Sequence, residues 1–332
     1  MPASETSTTE PVAVPVDGWL DIYFTDPSAL HASDYEGGPD EALAAAIDAS
    51  RLTVDVAVYN LDLWSIRNAL LDAHARGVVV RVVAESDNLD GEEFQDLIEA
   101  GIEVLGDRRE GLMHNKFVII DRSEVWTGSM NFTTNGAYED NNNLLHIRSS
   151  EIAEDYLVEF DEMFVDDLFG PDIRAVTPNP AVTVDGTLVE VFFSPDDGVQ
   201  ARLVELLESA QDSIYFLAFS FTADPLGEAI RSRATAGVTV AGVMEAEQVA
   251  SNTGTEYDPF LQAGLDVFQD ASEGLMHHKV IIIDERIVVT GSYNFSSSAE
   301  ERNDENLLII HSPEVAKVFM DEFWRVYGRA QP

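Results

Sequence analysis

The chain has 332 residues, of which 45% are hydrophobic, so it is long and apolar enough for one large domain or two of ordinary size. It carries 61 Asp and Glu against 19 Lys and Arg, a formal net charge of −42, and it has no cysteine. The lack of cysteine excludes a disulfide framework and a thiolate metal site. No apolar run approaches the roughly 20 residues of a spanning helix, so no transmembrane segment is predicted.

The acidic residues are spread over the whole chain, and the plentiful hydrophobic residues argue against disorder. Dispersed carboxylates with few lysines are typical of a protein kept hydrated in concentrated salt. At about 1 M salt the Debye length is only about 3 Å, so repulsion between the carboxylates is screened. We therefore expect a halophilic source, an archaeon in particular, and a location that is either cytoplasmic or exported after loss of a leader.

In chain order, residues 1–17 are rich in Ser, Thr, Glu and Pro and predict a flexible tail. Residues 18–170 then alternate strands with helices. The predicted strands are 19–24, 53–59, 78–84, 103–105, 116–120, 125–127 and 144–147, and the predicted helices are 42–50, 65–76, 91–100 and 151–164. This alternation predicts a mixed sheet covered by helices.

Residues 171–186 contain three prolines and predict a linker. Residues 187–330 repeat the order of the first half. The predicted strands are 189–193, 213–219, 238–243 and 307–310, and the predicted helices are 226–235 and 314–327. Copying of a stable unit explains the repeated apolar strands, but it does not explain why particular polar residues are repeated with them.

The repeated polar residues form one signature. Residues 114–121 read His-Asn-Lys-Phe-Val-Ile-Ile-Asp and are followed by Gly-Ser-Met-Asn at 128–131. Residues 277–284 read His-His-Lys-Val-Ile-Ile-Ile-Asp and are followed by Gly-Ser-Tyr-Asn at 291–294. The shared residues keep one constant offset, and Gly-Leu-Met precedes each copy.

These residue types suit the chemistry of a phosphodiester. A His and a Lys two positions apart on a strand point to the same side of the sheet. An ammonium, an amide and an imidazole around one point make a pocket for a tetrahedral oxyanion. With two sets, one His attacks phosphorus and the other protonates the leaving oxygen. The candidate catalytic residues are His114, Lys116, His277 and Lys279, and the candidate phosphate-binding residues are Lys116, Asn131, Lys279 and Asn294.

Asp121 and Asp284 close the two signatures. They lie at the end of an apolar strand just before a turn, where Asp is common for structural reasons. We count them in the catalytic signature with a supporting role and no part in proton transfer. Ser129 and Ser292 are also counted as supporting residues.

With both signatures, the chain resembles the phospholipase D superfamily, in the arrangement that carries two His-x-Lys-x4-Asp signatures on one polypeptide. Their wording is similar to that of the small members, the cardiolipin hydrolases and salt-resistant endonucleases, which carry one signature and dimerise. The resemblance extends from residue 19 to residue 327. It implies an α/β fold in which two duplicated halves pack as an αβαβα sandwich, and a monomer with one active site shared by both halves. It implies no metal and no cofactor, because the lysines supply the positive charge.

The family pattern also contains an Asn-x-Glu-Asn element whose Glu supports a catalytic His. Residues 303–306 match this element, and Glu305 follows His277 at the distance at which Asn142 follows His114. We therefore expect Glu305 to support His277 and Asn142 to support His114. Family precedent makes His114 the nucleophile and His277 the acid. A carboxylate at His277 favours the reverse, because it better stabilises a cationic phosphohistidine. We follow the precedent.

The resemblance implies a phospholipase D-type phosphodiesterase that acts through a covalent phosphohistidine, with a phospholipid headgroup as the first choice of substrate. Phe219, Phe221 and the pairs 112–113 and 275–276 offer an apolar entrance. A metal-independent endonuclease acting on DNA or RNA is the alternative, since high salt weakens the argument from the missing basic stripe. A phosphatidyl transferase and an inactive binding module follow.

The remaining candidates are interpreted as structural. Residues 87–93 are acidic but lack the ligand spacing of an EF-hand loop. Four histidines have no repeated companions: His31, His74, His146 and His311.

Overall fold

The structure, a computed structural model, describes residues 12–29 and 32–331. In this part of the chain, sixteen strands form two sheets of eight. The first sheet consists of β1 (Val14–Val16), β2 (Leu20–Phe24), β3 (Thr53–Val58), β4 (Val79–Ala84), β5 (Glu103–Gly106), β6 (Lys116–Ile120), β7 (Glu124–Gly128) and β8 (Asn143–Arg148). The second consists of β9 (Ala181–Val184), β10 (Thr187–Ser194), β11 (Ser213–Ala218), β12 (Thr239–Met244), β13 (Asp266–Gln269), β14 (Lys279–Ile283), β15 (Ile287–Gly291) and β16 (Glu305–His311).

The helices follow the same duplication. They are α1 (Pro39–Ala49), α2 (Trp64–Ala75), α3 (Glu92–Glu99), α4 (Ser150–Phe164), α5 (Val199–Ser209), α6 (Asp224–Thr235), α7 (Ala246–Ser251), α8 (Tyr257–Gln262), α9 (Ser297–Glu301) and α10 (Pro313–Ala330). A π-helical turn, Asn135–Glu139, stands where the second half has α9. The longest helices of the two halves, α4 and α10, begin alike, since Ser149 and Ser312 each accept a backbone N–H three residues on.

Both sheets are mixed and have the same topology. The first runs β1-β2-β8-β7-β6-β3-β4-β5, and the second runs in the matching order from β9 to β13. Neighbours are parallel where a helix connects them, as in β3 and β4, and antiparallel elsewhere. The signature strands β6 and β14 lie inside their sheets, paired with β3 and β11. This position holds the signature lysines, Lys116 and Lys279, at the ends of rigid, fully covered strands.

The layers are helix, sheet, helix, sheet, helix. The central apolar cluster combines α4 and α10 with the inner faces of both sheets, as Phe160 and Phe323 show. Separate clusters cover the outer faces, with α1, α2 and α3 on the first sheet and α5, α6 and α8 on the second. The predicted αβαβα sandwich is confirmed. No helix in the described ranges is long and apolar enough to cross a membrane.

Two predicted boundaries need correction. Val14–Val16, placed in the flexible tail, forms β1 and pairs with Leu20–Ile22. Ala181–Val184, placed in the linker, forms β9 and pairs with β10. Both are short edge strands, and three or four residues carry too little periodicity to be recognised from sequence. Residues 1–11 of the predicted tail, and His31, lie outside the described residues.

Candidate active site

The two signature lysines are buried beside their own histidines. Lys116 is 0% exposed and Lys279 is 1% exposed. The Nζ of Lys116 donates to the carbonyl oxygen of His114 at 2.7 Å, and that of Lys279 donates to the carbonyl oxygen of His277 at 2.9 Å. The whole chain has three lysines, and these are two of them. A chain otherwise nearly free of lysine therefore places two ammonium groups at its signature.

The histidines are held by side chains of the opposite half. Glu305 Oε2 lies 2.7 Å from Nδ1 of His114. Asn142 Oδ1 lies 2.9 Å from Nδ1 of His277, and the carbonyl oxygen of Ser129 lies 3.1 Å from the same atom. The expected pairing is therefore wrong. Glu305 supports His114 and Asn142 supports His277, because the segments that carry these side chains cross between the halves.

The crossing is fixed by main-chain hydrogen bonds. The N–H of His114 donates to the carbonyl of Asp304 at 3.0 Å, and the N–H of His277 donates to the carbonyl of Asn141 at 2.9 Å. Residues 140–143 of the first half thus lie along the second signature, and residues 303–306 lie along the first. Each half therefore supplies the side chain that holds the histidine of the other half.

The Gly-Ser pairs let the crossing segments pass close to the backbone at Gly128 and Gly291. Gly128 and Gly291 have φ of 155° and 148°, and a Cβ at either would lie within 2.4 Å of a carbonyl oxygen of the crossing segment. Ser129 Oγ donates to Asn142 Oδ1 at 2.9 Å. Ser292 hydrogen-bonds the carboxyl of Glu305. Each serine therefore supports the side chain that holds the histidine of the other half.

Asn131 and Asn294 lie at the ends of the same turns and are partly buried. Their side-chain oxygens are buried without a hydrogen-bond partner among the described residues. Their service as amide donors to a phosphate stays a prediction.

Asp121 and Asp284 do not reach the site. They close the far ends of β6 and β14, and five residues at about 3.3 Å each separate them from the lysines. Asp121 accepts the backbone N–H groups of residues 51–53, and Asp284 accepts those of residues 211–213. Counting them with the catalytic residues was wrong. They anchor the turns that lead into β3 and β11.

Two aromatic residues lie beside the histidines, of which Tyr59 was missed and Phe219 was named only for an apolar entrance. The ring of Tyr59 lies edge-on to His114 at 5.1 Å, and that of Phe219 lies edge-on to His277 at 4.5 Å. The ammonium of Lys116 is 5.3 Å from the Tyr59 ring, and that of Lys279 is 4.7 Å from the Phe219 ring. Both residues directly follow a buried strand, and this shared position is the signal that sequence reasoning passed over.

The proposed apolar entrance is largely core. Phe221, Met113 and Met276 are at most 1% exposed and pack inside the halves or between them. Of the residues suggested for an entrance, Phe219 contacts a candidate catalytic side chain, that of His277.

The electrostatics of the site favour an anion. Burial lowers the pKa of Lys116 to about 7, and burial together with Lys116 lowers the pKa of Lys279. Burial and both lysines hold the pKa of His114 and of His277 well below the usual histidine value. Burial raises the pKa of Glu305 to about 7 against the pull of the lysines. A phosphodiester anion between these groups supplies the negative charge that favours their protonated forms.

Three other histidines among the described residues face carboxylates. His278 is held by Asn143 and Glu322 behind the site, at 3.1 and 2.9 Å. His146 and His311 face Glu124 and Glu190, each at 2.7 Å. Within residues 12–29 and 32–331, no group of three or more His, Asp or Glu is arranged to hold a metal ion.

This reciprocal site can be compared with known proteins. Residues 43–164 and 203–327, more than half of the chain, each match the family model described as cardiolipin synthase, PLD-like domain. The chain belongs to the phospholipase D superfamily. Similar proteins include human mitochondrial cardiolipin hydrolase, 34% identical over 132 residues that make up 40% of this chain and 52% of that protein. Phospholipase D of Rickettsia typhi is 32% identical over 136 residues, 41% of this chain and 66% of that protein.

The chain thus spans about half to two thirds of the length of these curated relatives. Among solved structures, phosphatidylserine synthase of Haemophilus influenzae aligns with a TM-score of 0.65 over 87% of this chain and 83% of that one. At 13% identity, this likeness concerns the fold alone.

Proposed function

We propose that this phospholipase D superfamily protein hydrolyses a phospholipid headgroup without a metal, through a covalent phosphohistidine on His114. The observation that carries the proposal is the crossed pairing of the histidines. Glu305 holds Nδ1 of His114, whereas two neutral oxygens hold Nδ1 of His277. In each case Nδ1–H is the donor, which leaves Nε2 of both rings for the substrate.

The carboxylate selects the nucleophile. Phosphorylation at Nε2 makes the His114 ring cationic, and Glu305 at 2.7 Å stabilises that charge. Asn142 orients the His277 ring but carries no charge to stabilise such an intermediate. With the crossed pairing, family precedent and the charge on Glu305 both favour His114 as the nucleophile.

The first step forms a P–N bond and breaks a P–O bond. The Nε2 lone pair of His114 attacks phosphorus while the leaving oxygen takes the Nε2 proton of His277. Lys116 and Lys279, with Asn131 and Asn294, bind the remaining phosphoryl oxygens and stabilise the charge that develops on them.

The second step releases the phosphoryl group from His114. A water gives its proton to Nε2 of His277 as its oxygen bonds to phosphorus, and the P–N bond breaks. The product is a phosphomonoester, and both imidazoles return to their starting forms. The Tyr59 and Phe219 rings flank the histidines and lysines and limit the space around the phosphorus atom.

A phospholipid is favoured over nucleic acid for two reasons. The similar proteins bear the names cardiolipin hydrolase and phospholipase D. The chain carries 61 acidic against 19 basic residues, and its two site lysines are buried, so a long polyanion meets strong repulsion outside the site. Binding of a single phosphodiester headgroup requires only the two buried lysines, Lys116 and Lys279.

The test is turnover of labelled phospholipid vesicles and of single-stranded DNA, side by side, in about 3 M KCl with excess EDTA. We expect release of the lipid headgroup and little cleavage of DNA. DNA cleavage alone favours the endonuclease, and loss of activity that a divalent ion restores contradicts the histidine mechanism.

The expectation of a halophilic source stays a prediction. Circular dichroism that is unchanged down to about 0.1 M salt argues against it.

A further inference from the structure

Each signature follows a short lead-in, the repeated Gly-Leu-Met at residues 111–113 and 274–276. Each lead-in passes along a crossing segment, which is residues 303–306 for the first signature and residues 140–143 for the second. The glycine makes this approach possible. A Cβ at either glycine would lie within 2.4 Å of the carbonyl oxygen of the residue just before the crossing segment. The lead-ins and the crossing segments are therefore in close backbone contact on both sides of the site.

On the first side, one guanidinium joins the lead-in to the crossing segment. Arg109 Nη2 pairs with the carboxylate of Asp304 and donates to a carbonyl oxygen of the lead-in at 3.5 Å, and Nη1 donates to the carbonyl oxygen of Arg302 at 2.6 Å. Asp304 is fully buried, and its second carboxylate oxygen accepts the N–H of Gly170. A Cβ at Gly170 or Gly111 would lie 2.3 or 2.1 Å from Nη1, so the two glycines leave the space that the guanidinium fills. Arg109, from the first half, thus holds the start of a crossing segment that belongs to the second.

This contact lies directly beside the proposed nucleophile. The carbonyl of Asp304 accepts the N–H of His114 at 3.0 Å. The next residue, Glu305, holds Nδ1 of the same histidine at 2.7 Å. Two successive residues of the crossing segment therefore contact His114, and Arg109 binds the side chain of the first. Loss of the guanidinium leaves the segment free to shift, and such a shift changes the distance between the Glu305 carboxylate and the imidazole.

The His277 side holds its crossing segment without such an ion pair. Ser272 occupies the place of Arg109, two residues before the lead-in. Its Oγ accepts from Nδ2 of Asn141, the counterpart of Asp304, at 3.1 Å. Arg325 of α10 also donates to Oδ1 of Asn141 at 2.7 Å, but its charge is paired with the carboxylates of two other residues. The natural counterpart of the ion pair is therefore a serine and a neutral amide.

Other charged groups near the ion pair do not replace Arg109. Asp107 Oδ2 lies 3.8 Å from Nε of Arg109, and the charges of Glu159 and Asp196 act on that of Asp304. All three of these neighbours are acidic. Removal of Arg109 alone would leave a buried carboxylate beside other carboxylates, which destabilises the fold as well as the segment. An informative variant therefore replaces both partners.

We propose that Arg109 is a positioning residue for the nucleophile. Through its ion pair with Asp304 it fixes the crossing segment, so that Glu305 stays on Nδ1 of His114. This role rests on the proposed function, in which His114 carries the phosphoryl group and Glu305 stabilises the cationic ring. The His277 ring carries no phosphoryl group, and a neutral pair holds the segment beside it.

Arg109→Ser/Asp304→Asn installs the neutral pair of the other side and leaves no uncompensated charge. With a nitrophenyl phosphodiester, whose cleavage needs the nucleophile but no acid, we expect kcat for nitrophenol release to fall about tenfold, with KM within about twofold. In the Glu305→Gln background the same change should cost less than about twofold, because the carboxylate that it positions is gone. In the Asn142→Ala background it should still cost about tenfold, because Asn142 holds the other histidine. Arg108→Gln, which removes an exposed charge one residue away, is the matched control and should retain wild-type activity.

Asp304→Asn alone guards against a folding defect, since it keeps Arg109 and the hydrogen bond to Arg302. It should cost about threefold and show the same dependence on Glu305. Circular dichroism and denaturant unfolding of each variant check that the fold is intact. Equal losses in the wild-type, Glu305→Gln and Asn142→Ala backgrounds overturn the proposed role, because a pair that only stabilises the fold gives that result. A double variant with the wild-type rate overturns it as well.

The single variant Glu305→Gln separates this proposal from the proposed function. If Glu305→Gln by itself costs less than about tenfold, the role of Glu305 at the nucleophile fails, and the role of Arg109 fails with it. If Glu305→Gln costs much more than that, and the change at Arg109 and Asp304 adds to it in full, the role of Glu305 stands and that of Arg109 alone fails.

Discussion

The two halves share a backbone plan and differ in the charges placed on it. In both, a buried lysine bends back to the carbonyl of its histidine, a serine supports the crossing side chain, and an aromatic ring lies edge-on to the imidazole. Glu305 faces His114, and Asn142 faces His277. The comparison teaches that the two halves share a symmetric frame, and that a carboxylate on one side and an amide on the other make the two histidine sites unequal, as the proposed roles of nucleophile and acid require.

The last residues of the crossing segments keep the symmetry. Asn306 accepts from Thr127 at 2.7 Å and donates to Asn115 at 2.9 Å. Asn143 accepts from Thr290 at 3.0 Å and faces His278. Both asparagines are buried between the halves. The halves are thus alike where they are joined, and they differ at the side chains that hold the two histidines.

The largest effect is expected from the histidines themselves. His114→Ala and His277→Ala should each lower turnover of phospholipid at least about 10⁴-fold, and the double variant should be little worse, because the two act as a unit. Steady-state kinetics at high salt measures this. If either single variant keeps most of its activity, the halves work independently and the shared site is wrong.

A nitrophenyl phosphodiester separates the two roles. Its leaving group needs no proton, so the variant that lacks the acid should recover much of its activity and the variant that lacks the nucleophile should not. We expect His277→Ala to be rescued. Rescue of His114→Ala reverses the assignment and removes the argument from Glu305.

Glu305→Gln makes the His114 site resemble the His277 site. We expect kcat to fall roughly 10²- to 10⁴-fold, as when a triad carboxylate is replaced by its amide. Asn142→Ala is the matched control on the other half, and its cost should be nearer tenfold, because the Ser129 carbonyl still accepts from His277. Equal losses at the two positions contradict the division of roles.

A smaller effect is expected from the aromatic pair. Tyr59→Ala and Phe219→Ala should each lower kcat/KM about tenfold, because the imidazole and the ammonium lose a packed neighbour. Tyr59→Phe gives both halves the same ring and should change kcat/KM less than threefold. A large loss in Tyr59→Phe assigns the phenol hydroxyl a role that the second half lacks.

Much of this architecture is predictable from sequence. The apolar runs of β3, β4 and β6 and their repeats in the second half are long enough to show their period, so a mixed sheet in each half is predictable from the chain, and the family resemblance implied that the halves pack as a sandwich. His114, Lys116, His277 and Lys279 are recognisable because they recur at a constant offset and their side chains are suited to phosphate chemistry. The edge strands β1 and β9 were missed because they are too short to show a pattern.

The crossing of Glu305 and Asn142 was not predictable from spacing. An offset along the chain relates each side chain to the histidine of its own half, and the sequence contains no mark of which half it faces in space. The pairing depends on how the two halves pack, through the backbone bonds of His114 to Asp304 and His277 to Asn141. Asp121 and Asp284 were misjudged for a different reason. They occupy the last position of each signature in the sequence, but their contacts are with the turns that lead into β3 and β11.

The smallest effect on activity is expected at Asp121 and Asp284, where the halves are again alike. Each carboxylate accepts three successive backbone N–H groups, so Asp121→Ala and Asp284→Ala should each lower the free energy of unfolding by about 1–3 kcal/mol and leave kcat within about twofold. Burial raises the pKa of Asp284, but these N–H donors outweigh it and lower the pKa overall. The stabilisation by Asp284 is therefore present above the unfolded value, about 3.9, and fades as the pH falls through the lower folded value. Denaturant unfolding at pH 7 and at about pH 3 measures it, with turnover recorded under native conditions. A large loss of kcat in a variant that stays folded returns these residues to the catalytic machinery.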